Sequence, residues 1–136
     1  MAYCVTSVQT FADTDESGAV GVLLSLFDGT EAICDKEQIV RDLCSKENAT
    51  GSVEIGGVII HNTQSNAVRD LCISCAVFEK NEKKRVELFV SWKTLSEHNL
   101  NVLSRLVDGL SEQKAWKQSE ENIVLSIKKI LEGKRC

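Results

Sequence analysis

The pattern of hydrophobic and polar positions is most regular at residues 70–92, where two apolar runs flank a charged segment. Residues 71–78 are apolar or small at both parities, which is typical of a strand inside a sheet. Residues 86–92 alternate more cleanly and predict a half-buried strand with a mixed outer face. Residues 79–84 are charged or polar, and Asn81 tolerates the positive φ of a hairpin tip. The stretch therefore predicts an antiparallel β-hairpin.

Three further runs of β-prone residues predict the rest of a sheet. Residues 3–11 and 19–27 are separated by a polar segment and predict a first hairpin. The run 19–27 is apolar on both faces, which predicts a well-covered strand. The run 52–61 predicts another strand, in which the pair Gly56-Gly57 indicates a bulge or a close backbone approach.

Helical spacing of apolar residues predicts three helices. Asp35 lies three residues before Gln38, as at a capped N-terminus, and predicts a short helix at about 36–46. Thr94 and Glu97 have capping-box spacing and predict a helix at about 95–111. Ser119 precedes an acidic first turn and predicts the final helix. The predicted apolar stripe of the second helix comprises Leu95, Val102, Leu103, Leu106, Val107 and Leu110.

The predicted fold class is α/β (α+β), in the order β-β-α-β-β-β-α-α. Five strands would form a mostly antiparallel sheet, with the short helix on one face and the two C-terminal helices on the other, an alpha-beta sandwich. A single domain spanning residues 1–136 is expected. In element order the chain resembles the longin and profilin-like family of small α/β adaptor domains, which includes trafficking subunits and assembly chaperones. The resemblance implies an adaptor or chaperone-like role.

Composition narrows the classes of function. The chain has 16 basic and 20 acidic residues and a net charge of −4, which excludes a fold-wide basic surface for nucleic acid. It shows no secretory signal pattern and no apolar run of the ~18 residues that cross a bilayer, so a cytoplasmic or nuclear location is expected. Its six cysteines should then be reduced.

Two segments match the pattern of a metal site only in part. Cys72 and Cys75 form a C-x-x-C motif, but residues three apart on a strand point to opposite faces, which favours core thiols over a zinc or dithiol site. Whether they have a redox or metal role stays open. Residues 13–18 copy the first half of a calcium loop, yet Leu24 stands where a bidentate Glu is required. No cofactor is predicted.

Two other classes of function remain as alternatives. His61 or His98 can meet a cysteine in space, which would make the protein a small cysteine-dependent enzyme. Without a local signature, His61 is interpreted as a strand-end residue and His98 as an exposed residue in a first helical turn. The basic residues at 80–85 can contact phosphate as a weak nucleic-acid binder, although a solvated hairpin tip is the simpler interpretation.

The favoured function is a non-enzymatic protein-interaction domain, acting as a subunit, adaptor or assembly factor in a homo- or hetero-oligomeric complex. Its polar residues cluster at helix caps and loops, where a structural role accounts for their presence without a catalytic one. The run 52–60 carries few charges that would deter edge pairing, so it is the predicted interface strand, with the outer face of the final helix as the alternative. The predicted partner contacts are Val53, Ile55, Ile59 and Trp116. At an interface, Ile59→Lys would dissociate a domain that stays folded.

Overall fold

The computed structural model describes residues 2–12, 16–112 and 119–132. Within these ranges the chain forms an α+β domain with five strands and four helices. In chain order they are β1 (Tyr3–Ala12), α1 (Glu16–Ser25), α2 (Lys36–Thr50), β2 (Val53–Ile55), β3 (Val58–Gln64), β4 (Cys72–Lys80), β5 (Lys83–Trp92), α3 (Glu97–Glu112) and α4 (Glu120–Leu131).

The five strands form one mixed sheet in the order β1-β4-β5-β3-β2. β1 runs parallel to β4 and β3 runs parallel to β5, whereas the β4–β5 and β2–β3 pairs are antiparallel. The prediction of a mostly antiparallel sheet is therefore wrong, because it assumed that strands pair with their neighbours in sequence. The observed element order also differs from the one on which the longin and profilin resemblance was based.

The predicted hairpin at residues 70–92 is confirmed as β4 and β5. Its tip is shorter than the charged segment suggests, because Lys80 pairs with Lys83 and only Asn81 and Glu82 form the turn. Both turn residues have positive φ, 54° and 64°. Two residues in the left-handed region are typical of a type I′ turn, whose twist matches that of the strands it joins.

The run at residues 19–27 is mostly helical and not a strand. α1 covers Glu16–Ser25, and its buried residues repeat as pairs four positions apart: Ala19, Val20, Leu23 and Leu24. An almost continuously apolar run fits the period of two of a strand and the period of 3.6 of a helix equally well. Its pattern therefore does not distinguish a strand from a helix. The predicted first hairpin is consequently wrong, and the helices number four rather than three in the described ranges.

The run at residues 52–61 contains a hairpin rather than one bulged strand. β2 pairs with β3 through Val53↔Ile60 and Ile55↔Val58. The two residues between the strands, Gly56 and Gly57, have φ values of 59° and 81°, as a type I′ turn requires. The glycine pair therefore reverses the chain instead of forming a bulge.

Helices cover both faces of the sheet, and each face has its own core. α1 and α2 pack on one face around Phe78 and Phe89, whereas α3 and α4 pack on the other around Ile73 and Leu88. The placement of α2 opposite the two C-terminal helices is as predicted. None of the helices in the described residues is long and apolar enough to cross a membrane.

The helix starts were largely predictable from capping residues. Asp35 accepts a hydrogen bond from the Gln38 amide at 3.2 Å and Ser119 accepts one from the Asn122 amide at 3.3 Å, which confirms both starts. α3 begins at Glu97, and its first turn is capped by the Ser96 hydroxyl rather than by the predicted Thr94. α2 runs to Thr50 and ends at Gly51, with φ of 75°, instead of ending near residue 46.

Candidate functional site

A histidine between two carboxylates lies buried on the α2 side of the sheet. His61, in the middle of β3, has 5% of its surface exposed. Its Nδ1 lies 2.6 Å from Glu47 Oε1 on α2, and its Nε2 lies 2.6 Å from Glu87 Oε1 on β5. An imidazole donates from both nitrogens only when it is protonated. The geometry therefore fits an imidazolium that links a helix to a neighbouring strand.

The row of charges continues along β5. Glu87 is 3% exposed, and its Oε2 accepts a hydrogen bond from Arg85 Nε at 2.7 Å. The Arg85 guanidinium lies 5.8 Å from the ring centroid of Phe78 on β4. Arg85, Glu87, His61 and Glu47 thus alternate in sign, so each buried charge has an opposite charge beside it. Such pairing is required because an isolated buried charge is very costly.

The two carboxylates decide the protonation state of the histidine. Burial on its own lowers the pKa of His61, but the hydrogen bonds and negative charges of Glu87 and Glu47 outweigh it, so the pKa is raised above the ordinary 6.5. The protonated imidazolium is therefore favoured relative to a free histidine, in agreement with a carboxylate beside each ring nitrogen. An imidazolium that donates from both nitrogens has no lone pair with which to act as a base or a nucleophile.

The last two turns of α2 contact β3 through polar side chains. Lys46 donates to the Asn62 amide oxygen, and its Nζ lies 5.6 Å from the ring centroid of Trp92. Burial lowers the pKa of Lys46, against the opposing charge of Glu47. β2 pairs only with residues 58–60 of β3, so Lys46 contacts β3 beyond the end of β2.

A flank of α3 exposes apolar side chains, and we call Leu100, Leu103 and Val107 the outer flank. Leu100 is 49% and Val107 42% exposed, whereas Leu103 is half-buried. The opposite side of α3 faces α4, because a Cβ on Gly109 would overlap the Ile130 side chain. With about 100° of rotation per residue, Leu100 and Val107 lie across the helix from Gly109 and point away from α4. α3 also contacts β2, the edge strand of the sheet, so this flank lies on the side of β2. The predicted stripe is thus divided, since Val102, Leu106 and Leu110 are buried and Leu95 and Val107 are exposed.

The structure places the predicted interface residues on different surfaces. Val53 is 42% exposed and Ile55 is half-buried, and both lie on the α3 side of the edge strand β2. Ile59 is half-buried on an interior strand and opposes Glu87, on the α2 side of the sheet. Trp116 lies outside the described residues. Val53 and Ile55 therefore share a surface, and Ile59 does not.

The two cysteines of the C-x-x-C motif are fully buried in different cores, as their strand spacing predicts. Cys72 belongs to the α1–α2 side and Cys75 to the α3–α4 side. Burial raises the pKa of Cys72 to about 12 and raises that of Cys75 even further. Neither thiol is a ready nucleophile or metal ligand, because both functions need the thiolate.

Within residues 2–12, 16–112 and 119–132, no cluster of His, Cys, Asp and Glu side chains can hold a metal ion. Asp13 and Asp15 of the calcium-like segment lie outside those ranges, and Leu24 is buried in α1.

The basic cluster at residues 80–85 is divided between different environments. Lys84 Nζ donates to Glu121 Oε1 on α4 at 3.0 Å, and Arg85 turns towards the buried Glu87. Lys80 and Lys83 are exposed. His98, the other histidine, is exposed in the first turn of α3, as predicted.

Sequence reasoning missed both the charge row and the outer flank of α3. Glu87 was assigned to a mixed, half-exposed face, although it stands between Val86 and Leu88 and shares its face with Phe89. An acidic residue within so apolar a strand is a signal for a buried partner. Leu100 was outside the predicted stripe because its spacing places it away from the core.

Comparison with known proteins identifies a similar fold. The structure resembles the nitrogen regulatory protein IIA-Ntr of Neisseria meningitidis with a TM-score of 0.61 and 16% identity, covering 92% of each chain. It also resembles a proposed PTS IIA domain of Streptococcus pyogenes M1 GAS with a TM-score of 0.55 and 11% identity, covering 92% of this chain and 89% of the other. No protein-family profile and no curated protein sequence matches the chain. At these identities the likeness is one of fold.

Proposed function

We propose that the protein is a non-enzymatic interaction domain, a subunit or adaptor of an oligomeric complex, and that it binds an extended apolar segment of a protein partner. The observation that carries this proposal is the outer flank of α3 beside the open edge strand β2. Leu100, Val107 and Val53 are each at least 42% exposed on this side of the molecule. Grouped exposed apolar residues mark interaction surfaces more often than single ones.

The edge strand defines the shape of the partner. β2 pairs with β3 on one side only and is the last strand of the sheet. A partner strand added to β2 would receive main-chain hydrogen bonds, and the side chains on its α3 face would lie against the outer flank. An extended segment therefore satisfies the open backbone and the apolar side chains together.

The charge of Glu54 favours a basic residue in the partner segment. Glu54 is the central residue of β2, and it points to the face opposite Val53 and Ile55. A basic residue opposite Glu54 in the added strand would be favoured, because opposite charges stabilise cross-strand pairs. The proposed partner segment is consequently apolar on one face and basic on the other.

The environments of the candidate catalytic groups support a non-enzymatic role. His61 donates from both nitrogens to carboxylates, and the cysteines of the C-x-x-C motif are buried with raised pKa values. The similar Neisseria protein is named as a regulatory protein, and a regulatory role exerted through protein contacts would suit the surface described here.

The test compares substitutions on and away from the surface. We expect Leu100→Lys with Val107→Lys, and separately Val53→Lys, to abolish capture of a partner that the wild type recovers from native extract. The matched control is Leu125→Lys on α4, which alters a leucine of similar exposure, 45%, on another helix. Circular dichroism and thermal unfolding establish that each variant stays folded. Val53→Lys replaces Ile59→Lys as the diagnostic change, because Ile59 opposes the buried Glu87.

Two results would overturn the proposal. One is partner capture that survives both sets of lysine substitutions or that is lost equally with Leu125→Lys. The other is a wild-type protein that sediments as a monomer at high micromolar concentration and recovers no partner.

A further inference from the structure

We infer that protonated His61 holds the C-terminal end of α2, and the edge strand β2 that follows it, against the rest of the sheet, and that loss of the proton releases them. We call the contacts of His61 with Glu47 and Glu87 the latch. Two consecutive residues of α2, Lys46 and Glu47, contact two consecutive residues of β3, Asn62 and His61. His61 continues the connection to Glu87 on β5. The latch does not depend on whether β2 receives a partner.

The end of α2 has little other anchorage. Its buried residues are Ile39 and Leu43, and no residue between Leu43 and the end of the helix is buried. Ser65 Oγ donates to Asp42 Oδ2 at 2.7 Å, one turn before Lys46. The last two turns of α2 are therefore held by side-chain polar contacts, and a change in charge at His61 acts on them directly.

Other charged groups lie on the elements that pack around the histidine. α2 presents the charges of Asp42, Lys46 and Glu47, and β5 presents those of Arg85 and Glu87. On β2, Glu54 lies on the same face but is exposed. With His61 protonated, the row Arg85, Glu87, His61 and Glu47 has no net charge. Loss of the proton leaves one negative charge in excess at a buried position.

The two carboxylates differ in how they can respond to deprotonation. A neutral imidazole donates from one nitrogen and turns a lone pair towards the other carboxylate. The Glu87 side chain is 4% exposed and stays bound to Arg85, whereas the Glu47 side chain is 25% exposed and can reach water. Glu47 is therefore the group that leaves. The contact that opens is the one between α2 and the sheet.

Release at Glu47 reaches the edge strand through the backbone. The Gly51 amide caps α2 by donating to the Glu47 carbonyl oxygen at 2.7 Å, and β2 begins at Val53. Residues 47–55 thus form one continuous segment between the latch and the sheet edge. Raising the pH should loosen this segment before the rest of the fold.

The direction of the effect follows from the raised pKa of His61. The stabilisation is fully present below the unfolded value of about 6.5 and is lost as the pH rises through the folded value. Between the pKa of His61 in the opened state, where Glu47 has left, and its pKa in the closed fold, the equilibrium constant for opening residues 47–55 should rise roughly tenfold per pH unit, and it should be constant outside them.

The experiment measures hydrogen exchange of backbone amides, corrected for the intrinsic pH dependence of exchange, together with an NMR titration of the imidazoles. In the wild type we expect the His61 titration to lie above that of a free histidine, and the protection of residues 47–55 to fall with the same midpoint. The core amides of β4 and β5 should keep their protection. These measurements need no partner and no variant.

Variants separate the latch from a purely structural histidine. His61→Gln should remove the pH dependence of protection in residues 47–55, and Glu47→Gln should do the same while leaving the Glu87 contact in place. His98→Gln, which removes the only other histidine of the chain, should behave as the wild type. A His61 titration at or below the free value, or identical protection profiles in wild type and Glu47→Gln, would overturn the inference. Failure to capture a partner, with the pH-dependent protection of residues 47–55 unchanged, would contradict the proposed function and leave the inference about His61 intact.

Discussion

Gly109 on α3 lies directly against Ile130 on α4: a Cβ at position 109 would fall 3.1 Å from Ile130 Cγ1 and closer still to its Cδ1. The absence of a side chain at position 109 lets the two helices approach at this point. The same contact turns the outer flank of α3 away from α4 and towards β2.

The first prediction concerns this close approach. Gly109→Ala should lower the free energy of unfolding by about 1 kcal/mol, since overpacking costs about 1–3 kcal/mol and exceeds the ~1 kcal/mol gain in helix propensity. In an Ile130→Val background, which removes Cδ1, the same substitution should be neutral or stabilising. Urea denaturation measures both effects. Equal stabilisation by Gly109→Ala in the two backgrounds would contradict the prediction.

A second prediction ranks the carboxylates around His61. Glu87→Gln should lower the free energy of unfolding by about 3–5 kcal/mol, because it removes the buried negative charge that lies between Arg85 and His61. Glu47→Gln should cost less, because the Glu47 side chain is 25% exposed. Glu54→Gln, on the same face but exposed, is the control and should change stability by no more than about 0.5 kcal/mol. Equal costs for Glu87→Gln and Glu54→Gln in denaturant titrations would argue against the charge row.

The third prediction addresses the thiols. With a pKa of about 12, only about one Cys72 side chain in ten thousand is a thiolate at pH 8. Iodoacetamide should therefore modify the exposed Cys34 and Cys44 long before Cys72 or Cys75, and urea should remove the difference. Peptide mass spectrometry follows each site. Rapid modification of Cys72 in the folded protein, or stoichiometric zinc in the purified protein, would show that these cysteines are more than core residues.

A fourth prediction separates the proposed function from nucleic-acid binding. The net charge is −4, and Lys84 and Arg85 have acidic partners within the fold. Binding to single-stranded RNA, followed by fluorescence anisotropy, should be weak and should disappear as salt is added. Lys80→Glu with Lys83→Glu should abolish what remains. Sequence-dependent binding that persists at physiological salt would favour the alternative.

The sequence predicts those parts of the fold that depend on residues close together in the chain. The β4–β5 hairpin and the starts of α2 and α4 follow from alternation and capping, which need only neighbouring residues. The parallel pairs β1–β4 and β3–β5 join strands that are not neighbours in sequence, so no local pattern indicated them. α1 was misassigned because its residues are apolar at both periods.

Less of the candidate functional surfaces than of the fold could be predicted from the sequence. Val53 was named as an interface residue on the basis of its strand, and the structure places it on the open edge of the sheet. The charge row was not anticipated, because His61 lies 14 residues from Glu47 and 26 from Glu87 in sequence. Only the register of β3 beside β5, together with the packing of α2, brings the three side chains together.

The pairing of β1 with β4 has a consequence for how the chain is made. Tyr3 pairs with Cys72, and Ala12 pairs with Glu79, so β1 is synthesised well before the strand with which it pairs. Closing so long a loop is entropically costly and slows folding. The β4–β5 hairpin, whose strands are adjacent in sequence, can form first and act as the template onto which β1 docks. Until then a ten-residue segment without a charged side chain lacks its partner strand, and an unpaired strand edge favours aggregation of the nascent protein.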